Sequence, residues 1–179
     1  MNKRWEILPI DEKNQILLEK NLHISSSLAE ILTRKNLDEN SAKLFLNPTK
    51  IPYHDPFLLK DMEKACQRLL LALKNKEKIC IYGDYDVDGV SSTALLMTVF
   101  TKLGFNIDYY LPDRHSEGYG LHIESLQKLI PKYDLLITVD CGITALDEVD
   151  YAKDKIDMII TDHHLPREIL PDAFAIINP

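Results

Sequence analysis

ICIYGDYDVDGV, residues 79–90, sets an apolar strand-like run directly against three aspartates framed by two glycines. Ile79 to Tyr82 read as a strand, and Gly89 permits a tight turn into a helix that begins Val90-Ser91-Ser92-Thr93. The acids therefore sit at a strand's carboxyl end. In extended backbone, alternate side chains share a side, so Asp84, Asp86 and Asp88 project together, away from Tyr85 and Val87. Three carboxylates so close repel one another unless something cationic lies between them. The first N–H groups of the following helix, with Ser91 and Ser92, offer donors to a phosphate oxygen. Taken alone, the run also reads as an acidic surface turn or a helix cap.

Outward from this stretch, apolar strand-like runs alternate with helical patterns. The strands are expected at Ile79–Tyr82, Ile107–Leu111, Leu135–Val139, Met158–Thr161 and Phe174–Ile177. Helices are expected over Val90–Leu103, Leu121–Leu129 and Ile143–Ala152, with another from Asp61, read as its cap, to about Lys74. Such alternation predicts an α/β fold, a doubly wound five-stranded parallel sheet. Upstream, apolar residues recur at helical spacing from Asp11 to Leu46, broken by polar turns, which predicts short helices. Asn47 to Pro56 holds three prolines and no periodicity and reads as a surface connector. The division expected is a small helical N-terminal extension with its connector over 1–60, then one α/β domain over 61–179.

Two more strand ends carry chemistry. In TVDCG, residues 138–142, Asp140 closes the most apolar strand and Gly142 opens the next helix. Asp140 alone reads equally well as a helix cap. In TDHHLP, residues 161–166, Asp162, His163 and His164 follow another apolar strand, and adjacent histidines point to a ligand set. Open α/β sheets bind ligands outside the carboxyl ends of their strands, where all three clusters fall. Carboxylates with one or two imidazoles suit Mn²⁺ or Mg²⁺ better than zinc, and such acids can hold two ions. An ion pair of this kind activates water and stabilises both oxygens of an in-line displacement at phosphorus. A fourth element, LPDRHSEGYGL at 111–121, brings Arg114, His115 and the flexible Gly118-Tyr119-Gly120 over the same crevice. Arg114 presents a planar fork for phosphate and Tyr119 a face for an unpaired base, although an ordinary polar loop would look the same.

Composition limits the alternatives. The charge of −7 runs against a nucleic-acid partner, but it is uneven: residues 1–78 carry 14 basic and 11 acidic side chains, residues 79–179 carry 7 and 17. Divalent ions bound among those acids would invert the local field. The apolar runs Ala94–Phe100 and Leu135–Val139 are far shorter than the ~20 residues of a membrane span. The N-terminal MNKRWEILPIDEK meets acids and a proline before any apolar region, so it does not read as a signal peptide, and the expected location is cytoplasmic. Cys66, Cys80 and Cys141 are widely spaced and read as small buried hydrophobes.

The ordered set GDYDVDGVSST, TVDCG and Asp162-His163-His164 resembles the DHH phosphoesterases, a family named for that triplet. LPDRHSEGYGL and LNPTKIPYHDPFLLKDMEKA are similar to its single-strand-specific 5′ to 3′ DNA exonucleases of recombination and repair, so the likeness runs from about Phe45 onward. The resemblance implies two Mn²⁺ or Mg²⁺ ions, with Asp86 and Asp88 each holding one and Asp140 bridging. His163 would complete the site on the Asp88 side, His164 and Asp162 would support it, and Asp84 would be a ligand or an acid just behind. It also implies single-stranded DNA as substrate and repair proteins as partners. Members of the family supply a further metal-binding Asp and a second domain beyond the triplet, so this chain alone is expected to be weakly active or inactive. Three other readings are weighed: a relative cleaving short oligonucleotides, cyclic dinucleotides or pyrophosphate; a non-catalytic scaffold of the same descent; and a phosphoacceptor receiver domain. The last expects a lysine at the end of the final strand, where this chain has Asn178-Pro179.

Overall fold

A computed structural model describes residue 6 and residues 9–50 and 53–179, in two compact units, residues 1–54 and 55–179. The segment read above for a signal peptide, and Ile51-Pro52 of the connector, lie outside or only partly inside the described residues. Among the described residues no helix is long and apolar enough to cross a membrane.

The first unit packs α1 (Glu12–Leu22), α2 (Ser26–Arg34) and α3 (Glu39–Leu46) around Leu18, Ala29, Leu32 and Ala42. Each helix starts on a side-chain cap: Asp11 accepts from Asn14 N, Ser25 from Leu28 N and Asp38 from Ser41 N. Those oxygens satisfy N–H groups that an isolated helix end leaves without a partner. A 3₁₀ turn, Pro48–Lys50, follows.

The second unit opens with a 3₁₀ turn, Pro56–Leu58, and α4 (Met62–Asn75). Strands and helices then alternate: β1 (Lys78–Gly83), α5 (Val87–Leu103), β2 (Asn106–Tyr110), α6 (Ile123–Leu129), β3 (Leu135–Val139), α7 (Leu146–Ala152), β4 (Asp157–Thr161) and β5 (Ala175–Ile177). All pairings are parallel in the order β2-β1-β3-β4-β5. Helices cover both faces. On one, Ala65, Leu69 and Ala72 of α4 and Leu96 and Phe100 of α5 pack on Ile79, Leu135, Ile137 and Ile159. On the other, Leu126 and Leu129 of α6 and Val149 and Ala152 of α7 pack on Cys80, Tyr82, Leu136, Met158 and Ile160. The central strand β3 is buried at every residue, which is why it reads as one unbroken apolar run. β1 continues to β2 on one side and neighbours β3 on the other, so the winding reverses between β1 and β3 and opens a crevice at their carboxyl ends.

Several boundaries differ from the sequence reading. α5 starts at Val87, not Val90, because Asp86 caps it by accepting from Asp88 N and Gly89 N. Asp88 is thus already helical, and the picture of three acids in extended backbone gives way to a strand end, a cap and a first turn. α6 starts at Ile123, after Gly118 and Gly120, both at φ 85°. α7 starts at Leu146, because residues 140–145 form a loop held by other contacts. Asp61 stands before α4 but makes no side-chain cap; its Oδ2 accepts from Ile176 N at 3.1 Å and ties the helix to β5. Cys80 and Cys141 are buried, and Cys66 is partly exposed.

At the sheet's other end Arg68, 9 % exposed, binds Asp157 Oδ2 through Nε and Glu77 Oε2 through a terminal nitrogen, both at 2.6 Å. It joins α4 to the entries of β1 and β4, far along the strands from the crevice.

Candidate metal centre

The crevice gathers the three strand ends. After β3 the chain turns sharply: Asp140 adopts φ 62°, a conformation costly for a residue with a side chain and concentrated at functional sites. Two residues on, Gly142 sits at φ 110°, and a Cβ there would come 2.9 Å from Thr138 Oγ1. This loop delivers Asp140 beside the residues that follow β4. One ligand atom each from Asp140, Asp162, His163 and His164 falls within 4.8 Å of the others.

Asp162 organises the group. Its Oδ2 accepts from Ile143 N at 3.0 Å, and its Oδ1 accepts from the backbone N–H groups of His163 (2.7 Å) and His164 (3.1 Å) and from His164 Nδ1 (2.7 Å). Burial opposes ionisation of Asp162, but these donors outweigh it and hold the carboxyl below its ordinary range. The same contact raises His164 above the usual imidazole range. Asp162 is therefore a brace, with both oxygens committed to this network.

Asp140 is the opposite case. His163 Nδ1 lies 3.1 Å from its Oδ1, yet that oxygen is buried and accepts no hydrogen bond among the described residues. Burial and then the negative charge of Asp86 push its carboxyl above the ordinary range. Asp86 is held low, first by the Gly89 N–H, and also feels His164. Asp88, Ser91, Ser92, Asp140, Asp162 and His163 line one cleft of about 490 Å³. Asp86 thus stands close enough to act on Asp140, and Asp88 shares a cleft with Asp140 and His163.

Asp84 is wholly buried, and neither of its oxygens has a hydrogen-bond partner among the described residues. Gly89 presses on its backbone. The 111–121 loop sits nearby: Tyr119, 50 % exposed, holds its ring edge-on to His164 and its hydroxyl 3.4 Å from both ring nitrogens. Burial raises the Tyr119 hydroxyl above its ordinary range. Arg114 stacks 5.4 Å from the centre of the Tyr85 ring, and His115 is held through its backbone N–H, which donates to Asp113 Oδ1. Tyr119 and Gly120 line a second cleft with Gly142, Thr144 and Arg167. The sequence reading missed Arg167 and the seat that Tyr85 gives Arg114. Arg167 could have been noted as the cation next after the histidine pair.

Oxygen-rich donors with imidazole at one edge, and a buried Asp140 oxygen that accepts no hydrogen bond, fit hard divalent cations such as Mn²⁺ and Mg²⁺.

Residues 78–179 match the model of the DHH family, N-terminal domain, and the chain belongs to that family. Its relatives include the single-stranded-DNA-specific exonuclease RecJ of Bacillus subtilis, 42 % identical over 98 % of this chain, and that of Haemophilus influenzae, 42 % identical over 83 %. The chain spans about a quarter of those proteins, 23 % and 25 %. A crystal structure of exonuclease RecJ bound to manganese superposes with a TM-score of 0.66 at 34 % identity, over 71 % of this chain and 33 % of that one. RecJ from Thermus thermophilus in complex with Mn²⁺ gives 0.71 at 26 %, over 98 % of this chain and 25 % of that one.

Proposed function

We propose that this chain carries the metal-binding part of an exonuclease that hydrolyses phosphodiester bonds of single-stranded DNA from the 5′ end, in recombination and repair. The observation that carries the reading is the buried Asp140 oxygen at a strained turn, which accepts no hydrogen bond among the described residues and faces the His163 imidazole at 3.1 Å, beside Asp86 and a His164 ring braced on Asp162. The RecJ relatives and their manganese complexes supply the substrate and the cation. Residues 61–179 form the catalytic domain on this reading, with residues 1–60 as a helical extension. The enzyme works in the cytoplasm beside other repair proteins.

Asp86, Asp88, Asp140 and His163 would hold the cations. Two bound Mn²⁺ or Mg²⁺ ions supply an activated water and charge stabilisation at phosphorus. The rest falls to the chain. Asp162 fixes the direction of the His164 imidazole and keeps His164 protonated further up the pH scale, where it can donate to a phosphate oxygen. The early start of α5 brings Ser91 and Ser92 to the wall of the same cleft as phosphate donors. Arg114 offers its fork, and the exposed Tyr119 ring receives an unpaired base, a contact closed to a stacked duplex.

The test is mononucleotide release from 5′-phosphorylated DNA with Mn²⁺. Slow release from the single strand is expected, absent on duplex and abolished by Asp140→Ala. Equal digestion of duplex, activity retained by Asp140→Ala, or faster turnover of a dinucleotide than of a long strand would overturn the reading.

A further inference from the structure

Asp84 is the one buried acid of the 83–89 run. It has no exposed surface, whereas Asp86 and Asp88 are exposed. Both its oxygens are buried without a donor among the described residues. Its place is fixed by close packing: a Cβ at Gly89 would come 2.4 Å from Asp84 O and 2.6 Å from Asp84 N. The carboxylate acts on what surrounds it. The Cys141 thiol is raised by burial first, then by Asp162, Asp84 and Asp140, and the Tyr119 hydroxyl feels the same three acids. β1 pairs with β3 so that Gly83 lies beside Val139, which sets Asp84 and Asp140 next to each other at two adjacent strand ends, Asp84 with no exposed surface and Asp140 with 7 %.

A buried anion without a donor opposes folding, because it has lost its water and gained nothing in return. A cation close by relieves that cost, so folding and cation binding are linked through the charge. We infer that Asp84 is a positioning residue of the metal centre: a buried charge that tightens divalent-cation binding at the Asp86–Asp140 site without coordinating the ion. The inference rests on the metal reading proposed above and specifies what this acid contributes to it.

Asp84→Asn keeps the shape and removes the charge. Calorimetric titration with Mn²⁺ should show binding weaker by at least about tenfold, because at an effective dielectric of about 20 one charge several ångströms from a divalent ion is worth more than a single factor of ten. The number of ions bound should stay the same, and the metal-free protein should melt no lower than the unsubstituted chain. Asp84→Ala, which also removes the amide's unsatisfied donors, gives the same reading if the Asn side chain does not pack. A lost ion would make Asp84 a direct ligand and overturn the inference. Unchanged affinity, or failure of both variants to fold with or without Mn²⁺, would make it purely structural and overturn it too. If the unsubstituted chain bound no Mn²⁺, the metal reading itself would fall, and this inference with it.

Discussion

Gly89 lies directly against the backbone of Asp84, so close that a Cβ at position 89 would sit 2.4 Å from the Asp84 carbonyl oxygen and 2.7 Å from its carbonyl carbon. Glycine inside a helix ordinarily costs about 1 kcal/mol relative to alanine, so Gly89→Ala should stabilise α5 if only local propensity mattered. Here contact decides the sign. The neighbour is backbone at a strand end and cannot swing aside, so Gly89→Ala is expected to destabilise by about 1–3 kcal/mol, as overpacking does. Urea unfolding checks this, and a gain in stability would contradict the packing.

Asp162 answers three backbone N–H groups and one imidazole, so Asp162→Asn turns one acceptor into a donor facing donors. A loss of about 1–3 kcal/mol follows. The pH dependence has a definite sign. His164 is raised in the folded state, so its contribution is full below its unfolded value of about 6.5 and is lost as pH rises through its folded value. Asp162 is lowered, so its contribution is present above about 3.9 and is lost only as pH falls through its folded value. Melts of chelator-treated protein should therefore show stability falling as pH rises above about 6.5, and Asp162→Asn should flatten that slope.

Arg68→Ala separates fold from site. It strips the shared cation from Asp157 and Glu77 and leaves two acids facing each other at the sheet's far end. The expected cost is about 2–3 kcal/mol, at or below the low end for a buried pair because the Asp157 side chain keeps 43 % exposure. Mn²⁺ affinity of the folded variant should not change, and calorimetry with denaturant unfolding reads both quantities.

The sheet was legible because its strands are short apolar runs bounded by glycine, acid or helix, and Leu135–Val139 has the same limits in sequence and structure. Helix starts were less legible. Val90 looked like the beginning of α5 because Asp86 and Asp88 seemed to belong to the strand, while the cap they form depends on one χ angle and two backbone donors. Ile143 looked helical because nothing local reveals that its N–H is taken by Asp162, 19 residues on. Asp61 failed as a cap for the same kind of reason, since its partner is Ile176. The acids and histidines of the site were visible by type and position. That Asp84 is sealed off while Asp140 is strained and buried beside His163 was not, because burial and positive φ arise only once β1 and β3 lie side by side.

The central claim is that the ends of β1, β3 and β4 build one divalent-cation site centred on Asp140. Calorimetric titration of Mn²⁺ into the folded chain and its Asp140→Ala variant tests it most directly. Binding by the unsubstituted chain and a loss of at least about a hundredfold in the variant, beyond the 10–100-fold typical of residues that merely support ligands, is the predicted result. Equal affinity in the two proteins, with the variant still folded, would contradict it.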